Sequence, residues 1–408
     1  MSLDKLVKSL RSYKLFFLLC LSGAFVFVFV NYVTWYWSIP SEFNDSGDTP
    51  FYVPGEFKSC PNVLDRMVTG HWSVRNYSMK ELEEVENGLK RLRQFYKLPE
   101  TLQRADGKCG SVTYEGLYWF RALCNPKGPT PCCYNNVCAN KTVQECQCPQ
   151  CYDFRTKLHA ELADWIPEDP TCKMLKFAKE EDICSALQNA TIYLVGDSFM
   201  RHLCISVLNL IYQNETDKVY RENAGEAEKK KCDIHYRFVA ECSGYLHSDL
   251  LTCGNTTRIH CQELWRADMV NDVVKLFRQL RGQNNSWFIF GIGAHDSFNT
   301  DYVQKKMIDP LLAELAQSDW PKLVWYEPHS DGLMKSPNVP AQLGPNRIIY
   351  NNKVKDYMDQ HNVSVLRFFN LTRPVVSYDG SHYGKGVNDV KLQIILNYLL
   401  EERSRASH

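Results

Sequence analysis

The chain has 408 residues, and its 47 Lys plus Arg are matched by 47 Asp plus Glu. That balance gives no electrostatic case for nucleic acid or for a strongly acidic partner. The length allows one large domain and a smaller unit, and the 12% aromatic content serves a packed core and carbohydrate stacking equally.

In chain order, residues 1–14 read as a cytosolic tail and 15–37 as a transmembrane anchor. Leu15 to Val30 carries no charge, and the apolar character continues through Tyr32, Val33, Trp35 and Trp37. About 20 such residues span a bilayer. Lys5, Lys8, Arg11 and Lys14 precede the run and the next charge is Glu42, so the positive-inside rule leaves everything after Trp37 luminal or outside. A cleaved signal peptide is the alternative; the length of the run and the bulky aromatics at its end favour an uncleaved type II anchor. Residues 38–57, with Pro40, Gly47, Pro50, Pro54 and Gly55, read as a stem.

Residues 58–188 form a cysteine-rich N-terminal luminal region. Of the seventeen cysteines, Cys20 is inside the anchor, and the rest read as disulfides in an oxidising compartment. The cluster Cys132, Cys133, Cys138, Cys146, Cys148 and Cys151 would suggest zinc in a cytosolic protein; behind an anchor it reads as a stapled, loop-rich module. Cys204 is expected as a buried free thiol. Met79–Tyr96 predicts an amphipathic helix capped by Ser78, and Phe154–Trp165 a further helix. Sequons stand at Asn44, Asn76, Asn140, Asn189, Asn214, Asn255, Asn284, Asn362 and Asn370. Anchor, cysteines and sequons together place the expected protein in the secretory pathway, with the layout of a Golgi enzyme.

Residues 189–408 read as an α/β domain, and the cysteine-rich region either packs on it as a lobe or stands apart from it. The β-branched run Thr191–Val195 is a buried strand that ends in Gly196-Asp197-Ser198, and from Phe199 the spacing of Leu203, Val207, Leu210 and Ile211 is helical. A second strand is expected at Tyr236–Glu241, ending at Ser243-Gly244, then a helix over Val270–Leu280. Trp287–Ile292 is a strand ending in Gly293-Ala294-His295-Asp296, and Tyr302–Ala316 is helical. Leu323–Tyr326 is a strand, Asn346–Gln360 a helix and Val363–Phe369 the last strand, before Asp379-Gly380-Ser381-His382-Tyr383 and a helix over Val387–Leu400. This alternation predicts a parallel sheet with helices on both faces, and ligands at its carboxyl edge.

Ser198 at that edge is a candidate nucleophile, because a helix N-terminus stabilises a developing oxyanion; the alternative is a simple N-cap. A hydroxyl nucleophile needs a base and an orienting carboxylate, and His382 with Asp379 supplies both from one loop. The pairing of Gly196-Asp197-Ser198 after the first strand with Asp379-Gly380-Ser381-His382-Tyr383 before the last helix resembles the SGNH (GDSL-type) hydrolase superfamily. Its form is more similar to the PC-esterase branch. That branch includes plant trichome-birefringence-like polysaccharide O-acetyltransferases, the catalytic domain of animal sialate O-acetyltransferase, and neurexophilin-and-PC-esterase proteins. The resemblance covers roughly Ala190 to Glu402, and Arg201 fits the Gly-Asp-Ser-x-x-Arg of plant members.

The resemblance implies a flavodoxin-like SGNH sheet and an acyl-Ser198 intermediate on a glycan or glycoconjugate, with acetyl as the acyl group and no bound cofactor. The family takes oxyanion donors from a glycine after the second strand and an Asn after the third. Gly244, with Gly225 as runner-up, stands for the first, and His295 occupies the second, so the family Asn is absent. Transfer to a sugar hydroxyl is favoured over hydrolysis. A luminal transferase needs acetyl-CoA or a relayed acetyl group, and hence an acetyl-donor transporter as partner. His329 and Asp331 follow the fourth strand and are further candidates for lining the cleft. The competing reading is an inactive, glycosylated neurexophilin-like ligand; a lipid esterase is a third.

Overall fold

The structure, a computed structural model, describes residues 60–213, 216–232 and 240–406, all within the compact unit Pro54–His408. The expected tail, anchor and stem lie outside the described residues. Among those described, no helix is long and apolar enough to cross a membrane.

The centre is a six-stranded sheet. Its strands are β1 (Thr191–Gly196), β2 (Asp249–Thr252), β3 (Thr257–Glu263), β4 (Ser286–Gly291), β5 (Lys322–Tyr326) and β6 (Ser364–Leu366), in the spatial order β6-β5-β4-β1-β3-β2. All neighbours are parallel except the edge hairpin β2–β3. Setting β2 aside leaves the doubly wound order 2-1-3-4-5, whose direction reverses at β1, so the crevice between the carboxyl ends of β1 and β4 is the ligand position of the fold.

Every residue of β1 and β4 is buried, as expected of strands covered on both faces. Ile192 and Leu194 point into one core with the helices α1 (Ser198–Tyr212) and α4 (Lys385–Ala406); Tyr193 and Val195 point into the other, with α2 (Val270–Gln279) and α3 (Gly344–Gln360). Each such fully buried side chain contributes about 1.5–3 kcal/mol.

The cysteine-rich region packs onto the α1/α4 face and shares that core through Cys60, Val63, Trp72 and Trp165. The Glu401 carboxylate of α4 accepts from the backbone of Asn62 and Val63, and Trp72 Nε1 donates to Leu371 O at 2.8 Å. The helix Met79–Phe95 forms as expected, with Ser78 and Glu81 exchanging bonds in a capping box.

Four expectations are corrected. The second parallel strand is Thr257–Glu263; the described part of the expected Tyr236–Glu241 segment belongs to the 3-10 helix Ala240–Tyr245, and residues 233–239 lie outside the description. Phe154–Trp165 is not one helix but two 3-10 turns and a strand, Ala163–Pro167, paired antiparallel with Gly70–Val74. Trp165 donates to Met67 O at 2.8 Å and meets Trp72 edge-on at 5.6 Å, so cross-strand contacts override helical spacing. The helix expected at Tyr302–Ala316 is interrupted by a π turn, Gln304–Ile308, just before Pro310, which has no N–H to continue the ladder. The last strand shortens to Ser364–Leu366 because Phe369–Thr372 turns helical.

The sixteen cysteines from Cys60 onward form eight disulfides. Cys204, expected free, is bonded to Cys261 and ties α1 to β3. The close-set sulfurs Cys109, Cys124, Cys133 and Cys132, Cys146, Cys151 are all consumed in these bonds, which leaves no thiolate for zinc. Every sequon asparagine in the described residues (Asn76, Asn140, Asn189, Asn255, Asn284, Asn362 and Asn370) is exposed; Asn44 lies outside the description and so does Asn214.

Candidate active site

The site begins where β1 ends. Gly196 has φ 153°, and a Cβ there would fall 2.1 Å from Gly291 O of β4, so only glycine lets the strand turn this close to its neighbour. Asp197 then caps α1: its Oδ1 accepts from Phe199 N at 3.0 Å and its Oδ2 from Ala294 N at 3.4 Å. The capping role therefore falls to Asp197, and Ser198 is the first residue of the helix, with its hydroxyl free for other work. Asp197 is fully enclosed, and burial pushes its carboxyl up to about 6 against the pull of those two N–H groups.

The far loop arrives over this point. Ser198 Oγ stands 2.7 Å from His382 Nε2, and His382 Nδ1 stands 2.6 Å from Asp379 Oδ2. Asp379 Oδ1 also accepts from Ser381 N at 2.8 Å and His382 N at 2.7 Å. Burial alone would raise the Asp379 carboxyl, but the His382 charge and hydrogen bond and the two backbone donors outweigh it and hold it below the usual carboxylate range. An ionised Asp379 keeps the proton on Nδ1, leaving the Nε2 lone pair to receive the proton of Ser198. Gly380 (φ 83°) abuts Lys335 so closely that a Cβ would lie 2.2 Å from its backbone nitrogen; glycine makes the loop fit.

Several buried groups hold this loop: His329, expected to line the cleft, lies behind the loop instead, and Lys391, Lys335 and His202 were not among the expected residues. His329 Nε2 donates to Ser381 O at 2.7 Å, and its Nδ1 accepts from Lys391 Nζ at 2.8 Å. Lys335 Nζ donates to Ser381 Oγ at 2.7 Å, and burial lowers its ammonium to about 8. His202, one turn after Ser198, stacks on the His382 ring with centroids 4.7 Å apart and planes 9° apart. Its place four residues from Ser198 on an apolar helix was the one sequence signal available for it.

The remaining candidates fall around the rim. Gly244 lies in the 3-10 helix Ala240–Tyr245 and Gly225 just before the helix Glu226–Lys231; neither follows a strand of the sheet. The carboxyl end of β3 carries Leu264 and Trp265 instead, and Leu264 N donates to Gly196 O at 2.7 Å, beside Ser198. His295 follows β4 as expected; it is exposed, and its ring meets Trp265 edge-on at 5.8 Å. Arg201 is ion-paired with Glu263. Asp331 is half-buried behind the loop.

Arg201 and Glu263 line a cleft of about 390 Å3 that starts one helical turn from Ser198. Its polar wall holds Arg221, His247 and Gln262; its apolar wall is Ile205, Leu208 and the Cys204–Cys261 bridge; Gly244 contributes backbone and Trp265, 48% exposed, stands at the mouth. The arrangement as a whole offers a polarised hydroxyl, a base with its tautomer fixed, a helix N-terminus, and a mixed polar and apolar cleft beside them.

By sequence the chain matches no family model and no curated protein. By structure it is similar to a lipolytic protein of the G-D-S-L family from Veillonella parvula, at 11% identity over 51% of this chain and 96% of that one, with a TM-score of 0.31. It is also similar to a lipase/acylhydrolase from Enterococcus faecalis, at 15% identity over 52% and 96% of the two chains, with a TM-score of 0.30.

Proposed function

We propose that the chain is a serine-dependent O-acyl transferase or esterase of SGNH type, acting on O-acylated glycans or glycoconjugates through an acyl-Ser198 intermediate. The observation that carries this is the unbroken chain Ser198 Oγ, His382 Nε2, His382 Nδ1, Asp379 Oδ2, at 2.7 and 2.6 Å, standing at the carboxyl edge of the sheet. Nothing in packing alone requires three side chains from two distant segments to meet in that order.

In the first half, Ser198 Oγ gives its proton to His382 Nε2 and bonds to the acyl carbon of an ester. The carbon–oxygen bond to the leaving alcohol breaks, and His382 returns the proton to that oxygen. In the second half, water or a sugar hydroxyl gives its proton to His382 and attacks the acyl carbon. Ser198 leaves and recovers its hydrogen. Asp379 stays ionised throughout and balances the imidazolium. The Ser198 N–H at the start of α1 is the first oxyanion donor, with the loop Gly293–Asp296 across the crevice as the second. Arg201, already paired with Glu263, shapes the cleft without entering the chemistry.

Acetyl as the acyl group and a sugar as acceptor follow from the PC-esterase resemblance and fit the cleft. An aromatic face at the mouth and planar polar side chains within suit a polyhydroxylated ring. A long acyl chain in the same space would strip water from Arg221 and Glu263 without replacing its hydrogen bonds. Eight disulfides and exposed sequons support a luminal or extracellular setting, in line with a type II Golgi anchor at 15–37. The acyl donor there is acetyl-CoA or a relayed acetyl group supplied by a partner.

The test is turnover of a chromogenic acetyl ester, with and without a mixed glycan pool, beside Ser198→Ala and His382→Ala. Hydrolysis lost in both variants, and acetyl found on glycans by mass spectrometry, is the expected result. Hydrolysis indifferent to glycans moves the reading to esterase. No Ser198-dependent turnover by well-folded protein refutes the enzyme and leaves the inactive ligand.

A further inference from the structure

We propose that His202 is a positioning residue for the general base, locking the His382 ring in its reactive plane; this rests on the acyl-transfer reading above. His202 is 2% exposed and lies on α1, so the helix backbone fixes its distance from Ser198. Its ring covers one face of His382 at 4.7 Å and 9°. Tyr378 lies nearly parallel to it, at 6.2 Å and 17°, with its hydroxyl 3.2 Å from His202 Nδ1. Tyr378 stands equally near His382, at 6.3 Å and 22°, so the two rings together leave the imidazole of His382 little room to rotate away from Ser198 Oγ.

The stack also acts on charge. When His382 takes the proton of Ser198 it becomes a cation against an aromatic face, which is favourable while that face is neutral. A protonated His202 would repel it. Burial lowers His202 well below the usual histidine range, and the charges of His382, Arg201, His329 and Lys391 push the same way, so His202 stays neutral through the cycle. The other ionisable groups about the pair are the carboxyls of Asp379 and Asp197, His295 on the loop after β4, and Lys335 beneath the Asp379 loop.

The experiment uses the full chain as wild type, His202→Leu, His202→Phe and Ser198→Ala. Hydrolysis of a chromogenic acetyl ester and the rate of labelling by a serine-directed fluorophosphonate are followed over roughly pH 5 to 9. His202→Leu is expected to lower kcat about 10- to 100-fold with little change in KM, as for a misplaced catalytic group. His202→Phe, which keeps a flat ring but not the bond to Tyr378, restores most of kcat. A His202→Leu kcat equal to that of wild type, or a Phe variant as impaired as Leu at equal melting temperature, overturns the proposal. Labelling that persists in Ser198→Ala removes the acyl-transfer reading itself, whereas Ser198-dependent labelling insensitive to residue 202 removes this inference alone.

Discussion

Replacing Asp379 with Asn tests the site through a single oxygen. Asp379 Oδ1 accepts from two backbone N–H groups, at 2.8 and 2.7 Å, and Oδ2 faces His382 Nδ1 at 2.6 Å. An Asn must keep its carbonyl oxygen toward the two N–H groups, since turning the amide round would set its NH2 against both. The NH2 then meets His382 Nδ1, which can only accept. The imidazole proton moves to Nε2, where it points at Ser198 Oγ and blocks the transfer. The expected loss in kcat is about 10⁴-fold, equivalent to about 5 kcal/mol of barrier. Steady-state hydrolysis of an acetyl ester measures it, with thermal unfolding as the control for folding. Because the folded Asp379 carboxyl is held below its ordinary value, it contributes stability that is present above the unfolded carboxylate range and lost as pH falls through the folded value. Asp379→Asn therefore also flattens the acid side of the stability profile. Activity within about tenfold of wild type would refute the triad reasoning, because residual rates from binding and the oxyanion site alone are far smaller.

Asp197 makes the opposite pH prediction. Its carboxyl rises to about 6 in the fold, so between about pH 4 and 6 the native state holds the extra proton and stability falls as pH rises, at a cost of about 3 kcal/mol complete above pH 6. Asp197→Asn keeps an acceptor for Phe199 N and removes that slope, which urea unfolding across this range reads directly. Gly196→Ala places a Cβ 2.1 Å from Gly291 O at φ 153° and is expected to destabilise by about 3 kcal/mol or more, visible as a collapse in melting temperature or secreted yield. Trp265→Ala removes the aromatic face at the mouth of the cleft, and the ratio of glycan to small-ester kcat/KM should fall up to about tenfold; an unchanged ratio would place the sugar elsewhere.

Strands and helices with strong local signals were legible from the residues alone. Thr191–Gly196 and Ser286–Gly291 announce themselves because parallel strands buried on both faces are continuously apolar. The Ser78 cap and the residues Ser198, Asp379 and His382 were likewise chosen from type and spacing. What the reading missed was set by partners distant in sequence. Thr257–Glu263 alternates apolar with Arg258, His260 and Gln262 because one of its faces is open to solvent, and that weak pattern was passed over for residues 236–241. Displacing the second strand also displaced the glycine expected after it.

Cysteine number and the expected oxidising compartment pointed to disulfides, but the pairing of Cys204 with Cys261 depended on α1 lying across β3. The aromatic stack on His382 and the Lys391–His329–Ser381 chain join segments far apart in sequence, and no periodicity encodes them. Sequence by itself determined which groups are chemically able to act, since nucleophile, base and carboxylate are properties of single side chains and their local turns. Only the tertiary structure decided that they meet within hydrogen-bond distance, because that meeting is fixed by the order of strands in the sheet and by the cores packed on its two faces.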